Sequence, residues 1–180
     1  MNATSLLREQ LQQAHQSLET VMADVTPEQA HWCPPGIANP IGATYAHVLM
    51  GEDLVINILL QSAPPLFATS WTGKIGLSAL PPLPAPGSQS LPSWKEWGRT
   101  VQIDLGALRE YAQAVYTRSD DYLTSLPDEA LSRPLDLTVF SAGSRTVAWA
   151  LSNSVLGHVQ RHCGEIASLK GLQGIPGYLT

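Results

Sequence analysis

Apolar residues recur every three or four positions along four long stretches of the chain, and polar residues such as Gln, Glu and Arg fill the positions between them. At about 100° per residue, this spacing puts the apolar side chains on one face of an α-helix. No segment alternates strongly enough to predict a sheet. The pattern therefore predicts an all-α fold, a four-helix bundle, with long helices over residues 4–23, 41–61, 93–124 and 146–170.

Local signals mark where helices begin. Thr26 before Pro27 is typical of an N-cap followed by proline at the first helical position of a short turn. Ser93 and Glu96 have the spacing of a capping box at the start of the third long helix. Thr146 is expected to cap the last helix.

The segment between the second and third helices is rich in proline. Seven prolines occur between residues 62 and 92, and proline removes a backbone donor and disfavours both helix and central strand. The pattern predicts a long crossover loop, and loops of this length in compact domains are usually functional or mobile. Phe67, Trp71 and Leu77 indicate that parts of the loop pack down, over the mouth of a pocket. A weak alternation over 133–140 is compatible with an extended segment.

Length and composition limit the class of protein. The 180 residues fit one domain, residues 1–180, and an apolar content of 44% allows a full core. The net charge is −5 and no two Lys or Arg residues are adjacent, which argues against nucleic acid as a partner. No signal peptide and no apolar run near the roughly 20 residues of a membrane span are evident, so we expect a soluble cytoplasmic protein. Cys33 and Cys163 are expected to be reduced and structural.

Candidate chemistry is concentrated in the last helix. His158 and His162 are four residues apart and therefore lie one turn apart on the same face, where both imidazoles can reach one ion. Glu165 lies on the same stripe, and a third ligand must come from another helix. By spacing alone, the pair is compatible with metal binding and also with two histidines that interact only with each other.

His47 in the second helix is the candidate third ligand, although a lone histidine in such a helix is usually a core or boundary residue. Glu52 and Asp53, about one turn later, have two interpretations. They are either acceptors for imidazole N–H groups or solvated charges, and the spacing favours solvated charges. His15 in the first helix is expected to be a partly exposed surface residue.

Several kinds of metal site are excluded. Two separated cysteines do not close a sulfur-rich structural site, whereas three histidines leave a position open to water or substrate, as in catalytic sites. The motif His-Glu-x-x-His is absent, and so are paired Glu-x-x-His motifs, which argues against a zinc protease and a di-iron bundle. Trp94 and Trp97 are predicted to lie in the core rather than to form a platform for a ligand.

The order of elements and several motifs resemble the DinB/YfiT-like family of four-helix-bundle metalloenzymes. Three features carry the resemblance: His47 in Gly-Ala-Thr-Tyr-Ala-His-Val-Leu, the pair His158-x3-His162 followed by Cys-Gly-Glu-Ile, and the turn Thr-Pro-Glu-Gln-Ala-His-Trp after the first helix. The likeness covers nearly the whole chain, although each motif is loose. One departure is Cys163, where an Arg often follows the last histidine. Because Cys163 lies about 100° off the histidine stripe, we expect it to pack rather than to bind a metal.

The resemblance implies that His47, His158 and His162 hold a divalent transition metal, with zinc or nickel as the candidates. Characterised relatives include S-transferases that use low-molecular-weight thiols such as bacillithiol or mycothiol. Many bundles of this kind are homodimers. In such a site, Glu165 or the two acidic residues of the second helix would orient an imidazole or relay a proton.

Three hypotheses remain open at this point. The first is a metal-dependent transferase that binds a thiol at the ion, lowers its pKa and directs it at an electrophile. The second is a bundle that binds a metal or small ligand without catalysis, because no unmistakable nucleophile or acid–base group stands beside the histidines. The third is a structural or dimerisation bundle without an ion.

Overall fold

Helices make up most of the structure, a computed structural model that describes residues 2–82, 94–138 and 142–178. The four long helices pack in a closed ring, in which the first and the second each lie between the third and the fourth. In chain order the α-helices are α1 (Ala3–Met22), α2 (Pro27–His31), α3 (Ile41–Asp53), α4 (Lys95–Thr100), α5 (Leu105–Ser125), α6 (Val147–Trp149) and α7 (Gly157–Leu172). Helix α1 packs against α5 and α7, and α3 packs against the same two helices. The predicted all-α class is confirmed.

Two π-helical segments continue the long helices. Leu54–Leu60 extends α3, and Ala150–Leu156 joins α6 to α7. With these segments, the second and fourth predicted helices end close to their predicted positions. π-Helices are rare and are frequently found at functional sites. Both segments adjoin the helices that carry the candidate histidines.

Side-chain caps begin two of the helices as predicted. The hydroxyl of Thr26 accepts a hydrogen bond from the backbone N–H of Gln29, and the Gln29 side chain accepts one from the backbone N–H of Thr26, which completes a capping box. The hydroxyl of Thr146 accepts from the N–H of Trp149 at 3.2 Å. Ser93, the third predicted cap, lies outside the described residues. Local sequence is therefore sufficient to start α2 and α6.

The predicted third helix is wrong as a single element, because residues 101–104 interrupt it between α4 and α5. Nε2 of His31 accepts a hydrogen bond from the backbone N–H of Ile103 at 2.9 Å, while Nδ1 of His31 donates to the carbonyl oxygen of Pro27 at 2.6 Å. Ile103 also pairs with Leu77 as an isolated β-bridge. These contacts with distant residues replace helical hydrogen bonds that the local pattern would have allowed.

The prediction of no sheet is wrong at one place, where two short strands form an antiparallel pair. β1 (Pro134–Leu137) and β2 (Gly143–Thr146) pair so that Leu135 faces Arg145. Leu137 is buried, which explains the weak alternation in this stretch. Strands of four residues are too short to show a clear period-2 pattern.

The first part of the proline-rich segment is packed into the fold. Leu66–Ala68 forms one turn of 3₁₀ helix, and the carboxylate of Asp53 accepts hydrogen bonds from the backbone N–H groups of its first two residues at 3.0 and 3.2 Å. Phe67 and Ile75 are buried, in agreement with the prediction that parts of the loop pack down. Residues 83–93 of the loop lie outside the described ranges.

One stretch among the described residues, Ile41–Leu60, is long and apolar enough to cross a membrane by those two measures alone. Glu52 and Asp53 interrupt the apolar run in the sequence, so it was not predicted as a membrane span. Within the fold, 72% of its apolar window is buried, with a mean hydropathy of 1.2. Burial of this extent is what a central helix shows when it packs against several others.

Replacing Asp104 with Ala is expected to lower the free energy of unfolding by about 0.5–2 kcal/mol, because it removes the cap of α5. Oδ1 of Asp104 accepts hydrogen bonds from the N–H groups of Gly106 at 2.9 Å and Ala107 at 3.2 Å. Asp104→Asn keeps an acceptor and is the matched control, with a smaller expected loss. Urea unfolding measures both variants, and equal losses would contradict a capping role.

Candidate metal centre

Three imidazoles meet where α3 packs against α7. His47 comes from the middle of α3, and His158 and His162 come from successive turns of α7. Their candidate ligand nitrogens all lie within 4.8 Å of one another, and Nε2 of His47 lies 3.0 Å from Nε2 of His158. The structure thus brings together the three histidines that the sequence analysis selected, from helices far apart in the chain.

Apolar side chains beside the two histidines of α7 hold them at the edge of the core. Val159, Cys163 and Ile166 are buried in the main core cluster, whereas His158 and His162 are half-buried. The spacing of four residues then puts the two imidazole centroids 4.5 Å apart. The place of Cys163 in the core agrees with the expectation that it packs.

Glu165 fixes the orientation of one imidazole. Nδ1 of His162 donates a hydrogen bond to Oε2 of Glu165 at 2.6 Å, which leaves Nε2 of that ring as its lone-pair nitrogen. This hydrogen bond is the main cause that lowers the pKa of the Glu165 carboxyl, against the opposing effect of burial. Carboxylates placed in this way fix the tautomer and raise the basicity of histidines that bind metals.

Burial keeps the other two imidazoles neutral. Desolvation, assisted by neighbouring imidazoles, lowers the pKa of His47 to about 4 and the pKa of His158 to about 3. Neutral imidazole is the form that binds a divalent metal. At neutral pH, these two rings therefore present lone pairs to a cation without first releasing protons.

The spacing of the nitrogens fits a shared cation. Two nitrogens bound to one ion at about 2.0–2.1 Å lie roughly 3 Å apart when they occupy neighbouring positions, and the Nε2 atoms of His47 and His158 are 3.0 Å apart. Without an ion, one of these two Nε2 atoms must carry a hydrogen and donate it to the other. A cation between them would instead accept the lone pairs of both nitrogens. Three histidines are one fewer than the four ligands of a closed structural zinc site. The residues present therefore fit a divalent ion with an open coordination position.

Gly51 makes room for the ring of His158. It lies one turn after His47 on α3, and a Cβ atom added there would lie 3.1 Å from Cε1 and 3.5 Å from Nδ1 of His158. Gly51 was not among the predicted site residues. A glycine inside an apolar helix, four residues after a candidate ligand, was a signal of close approach that could have identified it.

An aromatic pair borders His47. The ring of Trp94 meets the ring of His47 edge-on with centroids 4.7 Å apart, and Trp94 also contacts Trp97 at 5.3 Å. Trp97 is buried and donates its Nε1–H to the carbonyl oxygen of Ala79 at 2.9 Å. The prediction of a core position is therefore right for Trp97, whereas Trp94 is half-buried beside the histidines.

Nδ1 of His47 is buried without a hydrogen-bond partner in the described part of the chain, so packing orients that ring.

Glu52 and Asp53 are buried, each 1% exposed, so the interpretation of both as solvated charges is wrong. Oε1 of Glu52 accepts a hydrogen bond from the Ser119 hydroxyl at 2.5 Å, and Oε2 accepts from Nε2 of His15 at 2.9 Å. Asp53 accepts from the hydroxyl of Tyr111 at 2.7 Å. The hydrogen bonds of both carboxylates thus go to described residues other than the three histidines, and those donors come from helices that local spacing does not reveal.

The prediction that His15 is a surface residue is also wrong. His15 is 7% exposed and stacks on Tyr116 with ring centroids 3.8 Å apart and an interplanar angle of 21°. Its hydrogen bond to Glu52 explains how a polar ring is tolerated there. His15 is not among the three histidines of the cluster.

The fold and the cluster define a helical protein that is compatible with metal binding, and comparison with known proteins assigns its family. The family model of the DinB superfamily matches residues 10–166, so this chain belongs to the DinB superfamily, as the motifs predicted. A solved structure described as the conserved protein of locus from Enterococcus faecalis is similar, with a TM-score of 0.77 and 24% sequence identity. The match covers 96% of this chain and 97% of that chain, and at this identity it shows the fold alone. No curated protein matches the sequence.

Gly51→Ala is expected to weaken zinc binding by about 10–100-fold, because the new methyl group displaces the ring of His158 by a few tenths of an ångström. Gly171→Ala is the matched control, since a Cβ atom added at that helical glycine meets nothing within 4 Å. Titration calorimetry with zinc measures both affinities. Equal affinity of Gly51→Ala and the parent protein would contradict the close approach.

The chelator-treated protein is expected to lose stability as pH falls from about 6.5 toward 4. The unfolded chain, in which the histidine pKa is about 6.5, binds more protons in this range than the folded chain, where burial lowers the pKa of His47 to about 4 and of His158 to about 3. The contribution of these two histidines to the free energy of unfolding is complete above pH 6.5. As pH falls, it declines by at most about 1.4 kcal/mol per pH unit for each histidine. Urea unfolding of the parent protein and His47→Gln at several pH values tests this, and identical slopes would contradict it.

Proposed function

We propose that this protein is a metal-dependent enzyme that transfers a low-molecular-weight thiol to an electrophilic substrate. The observation that carries the proposal is the convergence of His47, His158 and His162, whose candidate ligand nitrogens lie within 4.8 Å of one another. Zinc and nickel are the proposed ions, because imidazole ligands suit both metals. Membership of the DinB superfamily supports a metal-binding role.

A bound divalent ion would supply Lewis acidity, which lowers the pKa of a thiol so that thiolate forms near neutral pH. The side chains of this protein have three tasks in that scheme. Burial keeps His47 and His158 neutral, and the carboxylate of Glu165 holds His162 in one tautomer. A set of three protein ligands leaves a position for the thiol.

Glu165 is the proposed carrier of the thiol proton. Its Oε2 accepts a hydrogen bond from His162, and its side chain is 37% exposed, so it contacts both a candidate ligand and solvent. The proton passes to this carboxylate or to solvent, while sulfur forms a bond to the electrophilic atom and the leaving group departs with the electrons of the bond that breaks. Glu52 and Asp53 are less suited to this role, because other donors occupy both carboxylates.

A metal-binding bundle without catalysis is the second candidate. Among the described residues, Glu165 is the one carboxylate that hydrogen-bonds a histidine of the cluster. One such carboxylate provides few groups for acid–base chemistry. Such a protein would melt at a lower temperature after chelation and show no transfer of a thiol.

We also propose that the protein is a homodimer and lies in the cytoplasm. The family resemblance supports the dimer.

Zinc- or nickel-loaded protein is expected to accelerate the reaction of a bimane electrophile with at least one thiol of a panel. His47→Ala is expected to lose more than about 100-fold of that rate, because even outer residues of metal sites contribute about 10–100-fold. Both proteins carry Cys33→Ser, since the exposed thiol of Cys33 would itself react. Gln160→Ala, an exposed position on α7, is the control that should retain the rate.

Metal content is measured by elemental analysis on the same samples, purified without chelator or affinity tag. About one ion per chain with no rate above that of His47→Ala would contradict the transferase and leave the binding bundle. Less than about a tenth of an ion per chain would contradict both candidates.

A further inference from the structure

The rings of His47 and His162 are held in different ways. Oε2 of Glu165 accepts a hydrogen bond from Nδ1 of His162 at 2.6 Å, whereas Nδ1 of His47 is buried without a hydrogen-bond partner among the described residues. Histidines that bind metals almost always donate this second ring nitrogen to an acceptor, which fixes the orientation of the ring. A different contact must therefore keep Nε2 of His47 directed at His158.

The ring of Trp94 makes such a contact. Its centroid lies 4.7 Å from the centroid of the His47 ring, and the two ring planes are at 83° to each other. Edge-to-face contact is a favourable arrangement of two aromatic rings. His158 and His162 also contact the His47 ring, at 4.8 and 5.0 Å. Among the described residues, Trp94 is thus the ring neighbour of His47 that is not itself a candidate ligand.

Trp94 is in turn held by Trp97, with ring centroids 5.3 Å apart and an interplanar angle of 66°. Trp97 is buried, and its Nε1–H donates to the carbonyl oxygen of Ala79 in the proline-rich segment at 2.9 Å. Contacts therefore run from that segment through two tryptophans to His47. They fix the position of the Trp94 ring although this side chain is only half-buried.

A glycine lets α4 approach α3 closely. Gly98 donates its N–H to the carbonyl oxygen of Trp94 at 2.8 Å, and a Cβ atom added at Gly98 would lie 3.2 Å from Cβ of Ala43. Ala43 is one turn before His47, so the two side chains lie on the same face of α3. The face of α3 that carries His47 is therefore the face against which α4 packs.

We propose that Trp94 is the positioning residue of His47, and that its ring does by packing what Glu165 does for His162 by a hydrogen bond. The Trp94 ring limits rotation of the imidazole about its side-chain bonds. Less freedom is then lost when Nε2 binds an ion, which strengthens binding. This inference rests on the metal binding in the proposed function and does not depend on the transfer of a thiol.

Trp94→Leu is expected to weaken zinc binding by about 10–100-fold, the usual effect of removing a group that orients a metal ligand. Trp94→Phe keeps a ring at this position and should recover most of that loss. Titration calorimetry with zinc measures the affinities. The visible absorption spectrum of the cobalt(II)-loaded protein reports the arrangement of the imidazoles around the ion, and it should change in Trp94→Leu.

A matched control separates this role from general stability, because removing a large ring also lowers the free energy of unfolding. Trp149 is another half-buried tryptophan, and its ring contacts Arg145. Both Trp94→Leu and Trp149→Leu should unfold at lower urea concentration without metal, but only Trp94→Leu should bind zinc more weakly. If Trp94→Leu does not fold, Trp94→Met takes its place, since methionine fills an irregular space without a ring.

Unchanged zinc affinity and an unchanged cobalt spectrum in Trp94→Leu would overturn the inference. An equal loss of affinity in Trp149→Leu, or in Trp94→Phe, would overturn it as well. A parent protein that binds no zinc would overturn both this inference and the proposed function, whereas zinc binding without thiol transfer would contradict the transferase alone.

Discussion

The contact between α3 and α7 is the constraint on which the candidate site depends. It places the imidazoles of His47 and His158 with their Nε2 atoms 3.0 Å apart, in surroundings that exclude most water. Protonation of both rings would put like charges side by side at a buried position, so the fold selects neutral rings. Gly51 is part of the same constraint, because a side chain at that turn of α3 would occupy the space of the His158 ring.

The centre of α3 carries two kinds of polar group with different roles. One turn bears the candidate ligand His47, and the next bears the buried carboxylates Glu52 and Asp53. Glu52 joins α3 to α1 and α5 through His15 and Ser119, while Asp53 holds the first turn of the proline-rich segment. Removing either carboxylate would leave buried donors unpaired, so these residues stabilise the packing around the cluster rather than form part of it.

The fold identifies the family of this protein, whereas any reaction must be inferred from the side chains of the site. Membership of the DinB superfamily and the likeness to the Enterococcus faecalis protein establish the helical architecture. An architecture of this kind does not by itself specify a reaction. The proposed chemistry depends on three histidines and Glu165.

The sequence by itself determined the long helices, the caps at Thr26 and Thr146, and the stripe of His158, His162 and Glu165, because these follow from spacings of three to seven residues along one helix. Only the tertiary structure decided the break at residues 101–104, where the N–H of Ile103 donates to a histidine from α2. It also decided the burial of His15, Glu52 and Asp53. Their donors and acceptors come from other helices, and the periodicity of one helix carries no information about which polar groups its neighbours will supply.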